Sequence, residues 1–168
     1  MIITLTGFMG CGKSSVGRCL SELLCCPFMD LDVVIEESQG RSIPEIFAAE
    51  GEAAFRQMEV EALSRIIEAQ QLRGNVVVAL GGGAVMTPEC AELVRKKAHC
   101  IYLRASVDTL VSHLENEAAG RPMLQGASLR SRIEELMALR SSTYEATAHD
   151  VIDTDGKTVE EVAAEIKF

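Results

Sequence analysis

No stretch of apolar residues in this chain approaches the ~20 needed to span a bilayer. The start, "MIITLTGFMGCG", carries no basic segment ahead of a cleavable apolar one. Membrane anchoring and export are therefore not expected, and the chain reads as cytoplasmic. Cations are also scarce: 16 Lys and Arg stand against 25 Asp and Glu, for a net charge of −9. That balance argues against nucleic acid or an anionic membrane as the main partner. The six cysteines form no C-x-x-C pair and have no His at ligand spacing, so neither a zinc site nor a disulfide framework is expected. They read as reduced thiols acting as small apolar residues. Repeats, low-complexity tracts and a dividing linker are missing as well. The 168 residues, 48% of them hydrophobic, should make one globular domain over 1–168, and nothing in the surface pattern asks for more than a monomer.

What is present begins at Gly7. "GFMGCGKSS" places Gly7, Gly12, Lys13 and Ser14 on the pattern G-x-x-x-x-G-K-[ST], with a spare glycine at Gly10. Glycines let the backbone turn several N–H groups toward one anion. The helix expected to start near Lys13 adds roughly half a positive charge at its N-terminus. Gly10, Cys11, Gly12, Lys13, Ser14 and Ser15 are thus candidates for a nucleotide's phosphates. Lys13 is suited to the outer phosphates and the Ser14 hydroxyl to Mg²⁺. The required context is there: "MIITLT" is apolar and β-branched, and Val16, Leu20, Leu23 and Leu24 recur at helical spacing. Cys11 sits where a helix N-terminus could lower a thiol's pKa.

Short apolar runs, "IITLT", "PFMDL", "NVVVAL", "HCIYL" and "DVID", alternate with helical patterns. This is the signature of a parallel sheet covered on both faces. "SVDTLVSHL" and "TVEEVAAEI" open as helices do, with Ser or Thr followed by acidic residues. "SLRSRIEELMALRSSTYEA" reads as a longer helix with Leu129, Ile133, Leu136 and Met137 along one face. Residues 115–128, "ENEAAGRPMLQGAS", fit neither pattern and read as a functional loop, a lid in a nucleotide kinase, or else as a passive surface loop.

Strand ends carry a second set of groups. "MDLDVVIEE" puts Asp30 and Asp32 beside the phosphate loop, and i, i+2 spacing in an extended segment sends both to one side. One could hold Mg²⁺ and the other receive a proton, or Asp32 could simply cap the next helix. "ALGGGAV" ends the third strand with glycines that permit close approach to a ligand. Arg56 falls on a helix, with surface pairing to Glu52 or Glu59 as its plainer role; Arg121 and Arg140 are further cations with comparable alternatives.

Taken together, the glycine loop, "DLD", "GRSIPEIFAAEGEAAFRQME", "GGG", "RPML" and the Arg before Tyr in "LRSSTYEA" resemble the shikimate kinase family over essentially the whole chain and in its order. The resemblance implies a three-layer αβα P-loop fold, with a five-stranded parallel sheet of order 2-3-1-4-5, a substrate-binding region over 32–60 and a lid over 115–128. It implies ATP-dependent phosphorylation of the 3-hydroxyl of shikimate, with one Mg²⁺ ion. Carried over by match, Lys13, Asp32 and Arg121 are the catalytic candidates, and Arg121 is the lid arginine that meets the ATP phosphates. Asp32, Arg56, Gly82 with its neighbours Gly81 and Gly83, and Arg140 are the shikimate-binding candidates. Ser14 and Asp30 are the candidates for Mg²⁺. The chain departs from the family before the lid, where an arginine that packs on adenine is common and Ser112 and His113 stand instead. Lys157 is a further candidate for the nucleotide. A related small-molecule kinase, such as a gluconate kinase, or a nucleotide switch without an acceptor would share the glycine loop.

Overall fold

The structure, a computed structural model, describes residues 1–115 and 128–166. Five strands, β1 (Ile2–Thr6), β2 (Phe28–Asp30), β3 (Val76–Ala79), β4 (His99–Arg104) and β5 (Asp150–Asp153), alternate with helices. The helices are α1 (Lys13–Leu23), α2 (Leu31–Gln39), α3 (Ile43–Gln70), α4 (Pro88–Lys97), α5 (Val107–Leu114), α6 (Leu129–Thr147) and α7 (Val159–Glu165). All pairings are parallel, in the order β2-β3-β1-β4-β5 that the family resemblance implies. Every residue of β1 and β3 is buried, which explains why "IITLT" and "VVVA" show no alternation: helices cover both faces. No helix among the described residues is long and apolar enough to cross a membrane. All six cysteines are free, with Cys11, Cys90 and Cys100 packed into the core.

The helix starts follow local chemistry. Ser106 and Ser128 cap α5 and α6 by accepting from Thr109 N and Ser131 N, and Thr158 forms a reciprocal capping box with Glu161 on α7. By contrast, α1 starts on Gly12 at φ +93° with no side-chain cap, leaving its first N–H groups to an outside acceptor. At α2 the cap is Asp30, not Asp32: Asp30 Oδ1 accepts from Asp32 N at 3.0 Å and Val33 N at 3.5 Å. The chain turns from strand to helix between the two carboxylates, so they do not share one face of an extended strand. Within α3 the helix breaks at Gly51 (φ 85°, ψ 174°). That conformation is strained for any residue with a side chain.

Candidate active site

The groups singled out in the sequence meet at the carboxyl ends of β1, β2 and β3, where open parallel sheets hold their ligands. After β1, the glycine loop and the start of α1 line a cleft of about 490 Å³ with Gly10, Gly12, Lys13, Ser14 and Ser15 on one side and Asp30 and Asp32 on the other. Lys13 Nζ is held over the loop by Gly7 O at 2.8 Å and Phe8 O at 3.0 Å. Ser14 Oγ donates to Asp30 Oδ2 at 2.7 Å, so the same carboxylate caps α2 with its other oxygen. Cys11 is buried beneath the loop, its side chain apart from the cleft and its N–H donating to Phe8 O. His113, at the end of α5, is held to Gly10 O through Nδ1 at 2.6 Å and joins the cleft's wall. Lys157 lines an adjoining cleft that also includes His113, with its amine bonded to Glu165. Arg121 and residues 116–127 of the expected lid lie outside the described residues.

A second cleft, of about 220 Å³, lies between α2, α3 and α6. Apolar Met9, Ile43, Phe47 and Phe55 line it together with Asp32, Arg56, Glu59, Arg140 and the three glycines. Both halves of α3 contribute, Ile43 and Phe47 before the Gly51 break and Phe55, Arg56 and Glu59 after it. A volume below the roughly 300–1,000 Å³ of drug-sized pockets suits a small polar molecule. Arg140 is 5% exposed, and its Nη1 is buried with no hydrogen-bond partner among the described residues. Tyr144, one turn further along α6, donates from its hydroxyl to Gly82 O and so fixes the glycine run against that helix.

None of the three glycines has a positive φ; they are required by crowding. A Cβ on Gly81 would stand 2.8 Å from Asp32 Oδ1 and 2.9 Å from Glu59 Oε2, and one on Gly83 would stand 2.5 Å from Arg56 Nη2. Gly83→Ala should therefore push the Arg56 guanidinium aside at little expense to stability, since the displaced atoms end a flexible side chain. The expected result is an unchanged or slightly lowered Tm and, for a carboxylate ligand that uses the Arg56 fork, about a tenfold weaker binding, the order of one charged hydrogen bond. Thermal unfolding and ligand titration on the same sample check it.

In the sequence Glu59 figures only as a surface partner in the plainer alternative role for Arg56. Arg56 does pair with Glu52 at 3.2 Å and Glu59 at 2.7 Å, but Glu59 has no exposed surface and belongs to the cleft. Burial pushes its carboxyl up to about 7, and the Arg56 guanidinium opposes this only in part. The folded protein thus holds this proton more tightly than an unfolded chain, whose glutamate titrates near 4.5. The contribution is unfavourable above the folded value and absent below the unfolded one, so stability should fall as pH rises from about 4.5 to 7. The whole effect is roughly 3 kcal/mol. Urea unfolding across that window should show it as a difference between the wild type and Glu59→Gln, with a constant difference counting against it. Met9, Phe47 and Phe55 were also missed; as apolar residues next to charges, they read as ordinary core.

A glycine loop after β1, a carboxylate at the end of β2 and a glycine-floored arginine cleft beyond β3 define a P-loop phosphotransferase. The comparisons sharpen this class. The family model described as "Shikimate kinase" matches residues 9–167. Shikimate kinases of Symbiobacterium thermophilum and Geobacter metallireducens are 40% and 44% identical to the chain, covering 99% and 98% of it and 94% and 88% of their own lengths. The solved structure of shikimate kinase from Acinetobacter baumannii in complex with shikimate superposes with a TM-score of 0.91 at 33% identity, over 98% of this chain and 89% of that one. The chain belongs to the shikimate kinase family.

Proposed function

We propose that this chain transfers the γ-phosphoryl group of ATP to the 3-hydroxyl of shikimate, with nucleotide in the glycine-loop cleft and acceptor in the arginine cleft. One observation carries the reading: the two clefts share a wall formed by Met9, Asp32, Gly81 and Gly82. An acceptor in the smaller cleft therefore meets the phosphates of the larger one beside Asp32. In this reading Arg56 and Arg140 grip the substrate's carboxylate, each presenting a planar fork. The unpartnered Nη1 of Arg140 supports that role. Asp32 orients the 3-hydroxyl and receives its proton as the new O–P bond forms. Lys13 leaves the loop carbonyls for the outer phosphates, and Arg121 supplies a further cation to the transferring group. The cleft between α5 and the loop after β5, reached past His113, is the proposed place of the nucleoside.

The chemistry of the donors fits a single Mg²⁺ arriving with ATP. Ser14 Oγ and Asp30 Oδ2 are hard oxygen ligands already 2.7 Å apart. Among the described residues no cluster of three or more His, Cys, Asp or Glu could hold a metal unaided, as suits an ion that takes its remaining ligands from phosphate and water. When bound, such an ion offsets phosphate charge and fixes its geometry. A cytoplasmic monomer is the proposed setting. The deciding experiment compares ADP release from ATP–Mg²⁺ with and without shikimate, alongside a panel of hydroxy acids. Shikimate-dependent release of at least tenfold over background is expected, and equal release without it would end this reading.

A further inference from the structure

Before any ligand enters, acids already outnumber cations in the smaller cleft. Arg56 and Arg140 bring two positive charges, and Asp32, Glu36 and Glu59 are the three acids that line it. Around them, Glu52 touches Arg56 from the half-exposed rim, while Glu36 of α2 lines the cleft and accepts from Ile43 N. On the far side α4 faces Glu59 with the Cys90 thiol, which burial pushes up to about 12 and so keeps neutral. The short turn Ala84–Met86 brings no charge.

Glu59 occupies an unusual place among these groups. It has no exposed surface, its Oε1 accepts from Arg56 and its Oε2 has no hydrogen-bond partner among the described residues. The position that a Cβ on Gly81 would take lies within 3 Å of both Glu59 Oε2 and Asp32 Oδ1, so both carboxylates face one small space. A substrate carboxylate would add a further negative charge to a cleft in which three acids already face two arginines. It would also take over the Arg56 fork that now stabilises the Glu59 charge. Both effects favour the neutral form of the most buried acid, because a like charge and the loss of a cationic partner act in the same direction.

We propose that the cleft takes up one proton from solvent as its substrate binds, and that this proton settles on Glu59 Oε2, freeing Arg56 for the substrate. The inference rests on the reading of shikimate as the acceptor. One O–H bond forms on Glu59 and none breaks in the substrate; the net charge of the cleft is the same before and after. In the empty cleft the Glu59 carboxyl titrates at about 7, so at pH 8 it is mostly ionised and ready to accept. At pH 6 it already carries the proton. Substrate affinity should therefore be flat below about pH 6 and weaken above 7, by up to about tenfold per pH unit.

Calorimetric titration of shikimate into the ATP-free protein, at pH 8 in buffers of different ionisation heat, tests the proposal. Expected is an uptake approaching one proton per substrate bound, falling toward zero at pH 6. Glu59→Gln should bind with a heat independent of buffer and a flat pH profile. Glu59→Asp, which keeps a carboxyl, should retain part of the uptake and serves if the glutamine variant does not fold. Saturable binding without buffer dependence in the wild type, or uptake that survives in Glu59→Gln, overturns the proton coupling and leaves the substrate reading standing. No saturable binding at any pH would remove the substrate reading, and the proton coupling with it.

Discussion

Asp32→Asn should lower turnover by about 10² to 10⁴-fold while ATP–Mg²⁺ binding stays near normal, the span of a general-base contribution. Asp32 borders both clefts, and the amide can still hold a hydroxyl by a hydrogen bond, though it cannot accept the proton. Because phosphoryl transfer needs little proton removal before the transition state, part of the loss would come from a misplaced hydroxyl. Asp30→Asn should behave differently. An amide oxygen can keep capping α2, so the fold should persist, whereas the Mg²⁺ requirement rises because a neutral oxygen is the poorer ligand. Single-turnover rates and Mg²⁺ titrations of both variants separate the two. A higher Mg²⁺ requirement in Asp32→Asn, with Asp30→Asn merely slow, would reverse the assignment.

Arg140→Lys should raise the shikimate KM by about 10- to 100-fold with the ATP KM nearly unchanged, matching roughly 1.5–3 kcal/mol for a hydrogen bond to a charged group. Lysine keeps the charge and loses the planar fork. Arg56→Lys should have the smaller effect, since Glu52 and Glu59 already occupy part of the Arg56 fork, whereas the Nη1 of Arg140 has no partner to give up. Steady-state kinetics with each substrate varied in turn decides it; a rise in the ATP KM of the same size would move Arg140 to the other cleft.

The parallel strands and the glycine loop were legible because strands buried on both faces leave unbroken apolar runs, and because a phosphate loop needs glycines at fixed spacing; the strand order came only from the resemblance to the family. That Asp32, Arg56 and Arg140 belong together in one cleft was legible only in combination with the surrounding motifs; alone, each had a plain surface or capping role. The cap at Asp30 was hidden because strand and helix signals overlap in "MDLDVV", where the chain changes period between the two aspartates. The Gly51 break was hidden because "AAEGEAAF" is good helix on either side of one glycine. Glu59 was the hardest to read. Three residues after Arg56 it looks like half of a surface ion pair, and only the packing of α2, α4 and α6 around it takes it out of water.

Asp30 makes two demands on position 30 inseparable. A carboxylate there begins α2, the helix whose first turn carries Asp32, and also holds the Ser14 hydroxyl of the phosphate loop. Removing the side chain would loosen the helix start, shift the neighbouring aspartate and release the loop serine in one stroke. A lost activity in Asp30→Ala would therefore report three faults at once. The adaptive consequence is a narrow choice of residue: an alternative must be short enough to cap, oxygen-bearing on two sides and charged, and aspartate alone among the twenty meets all three.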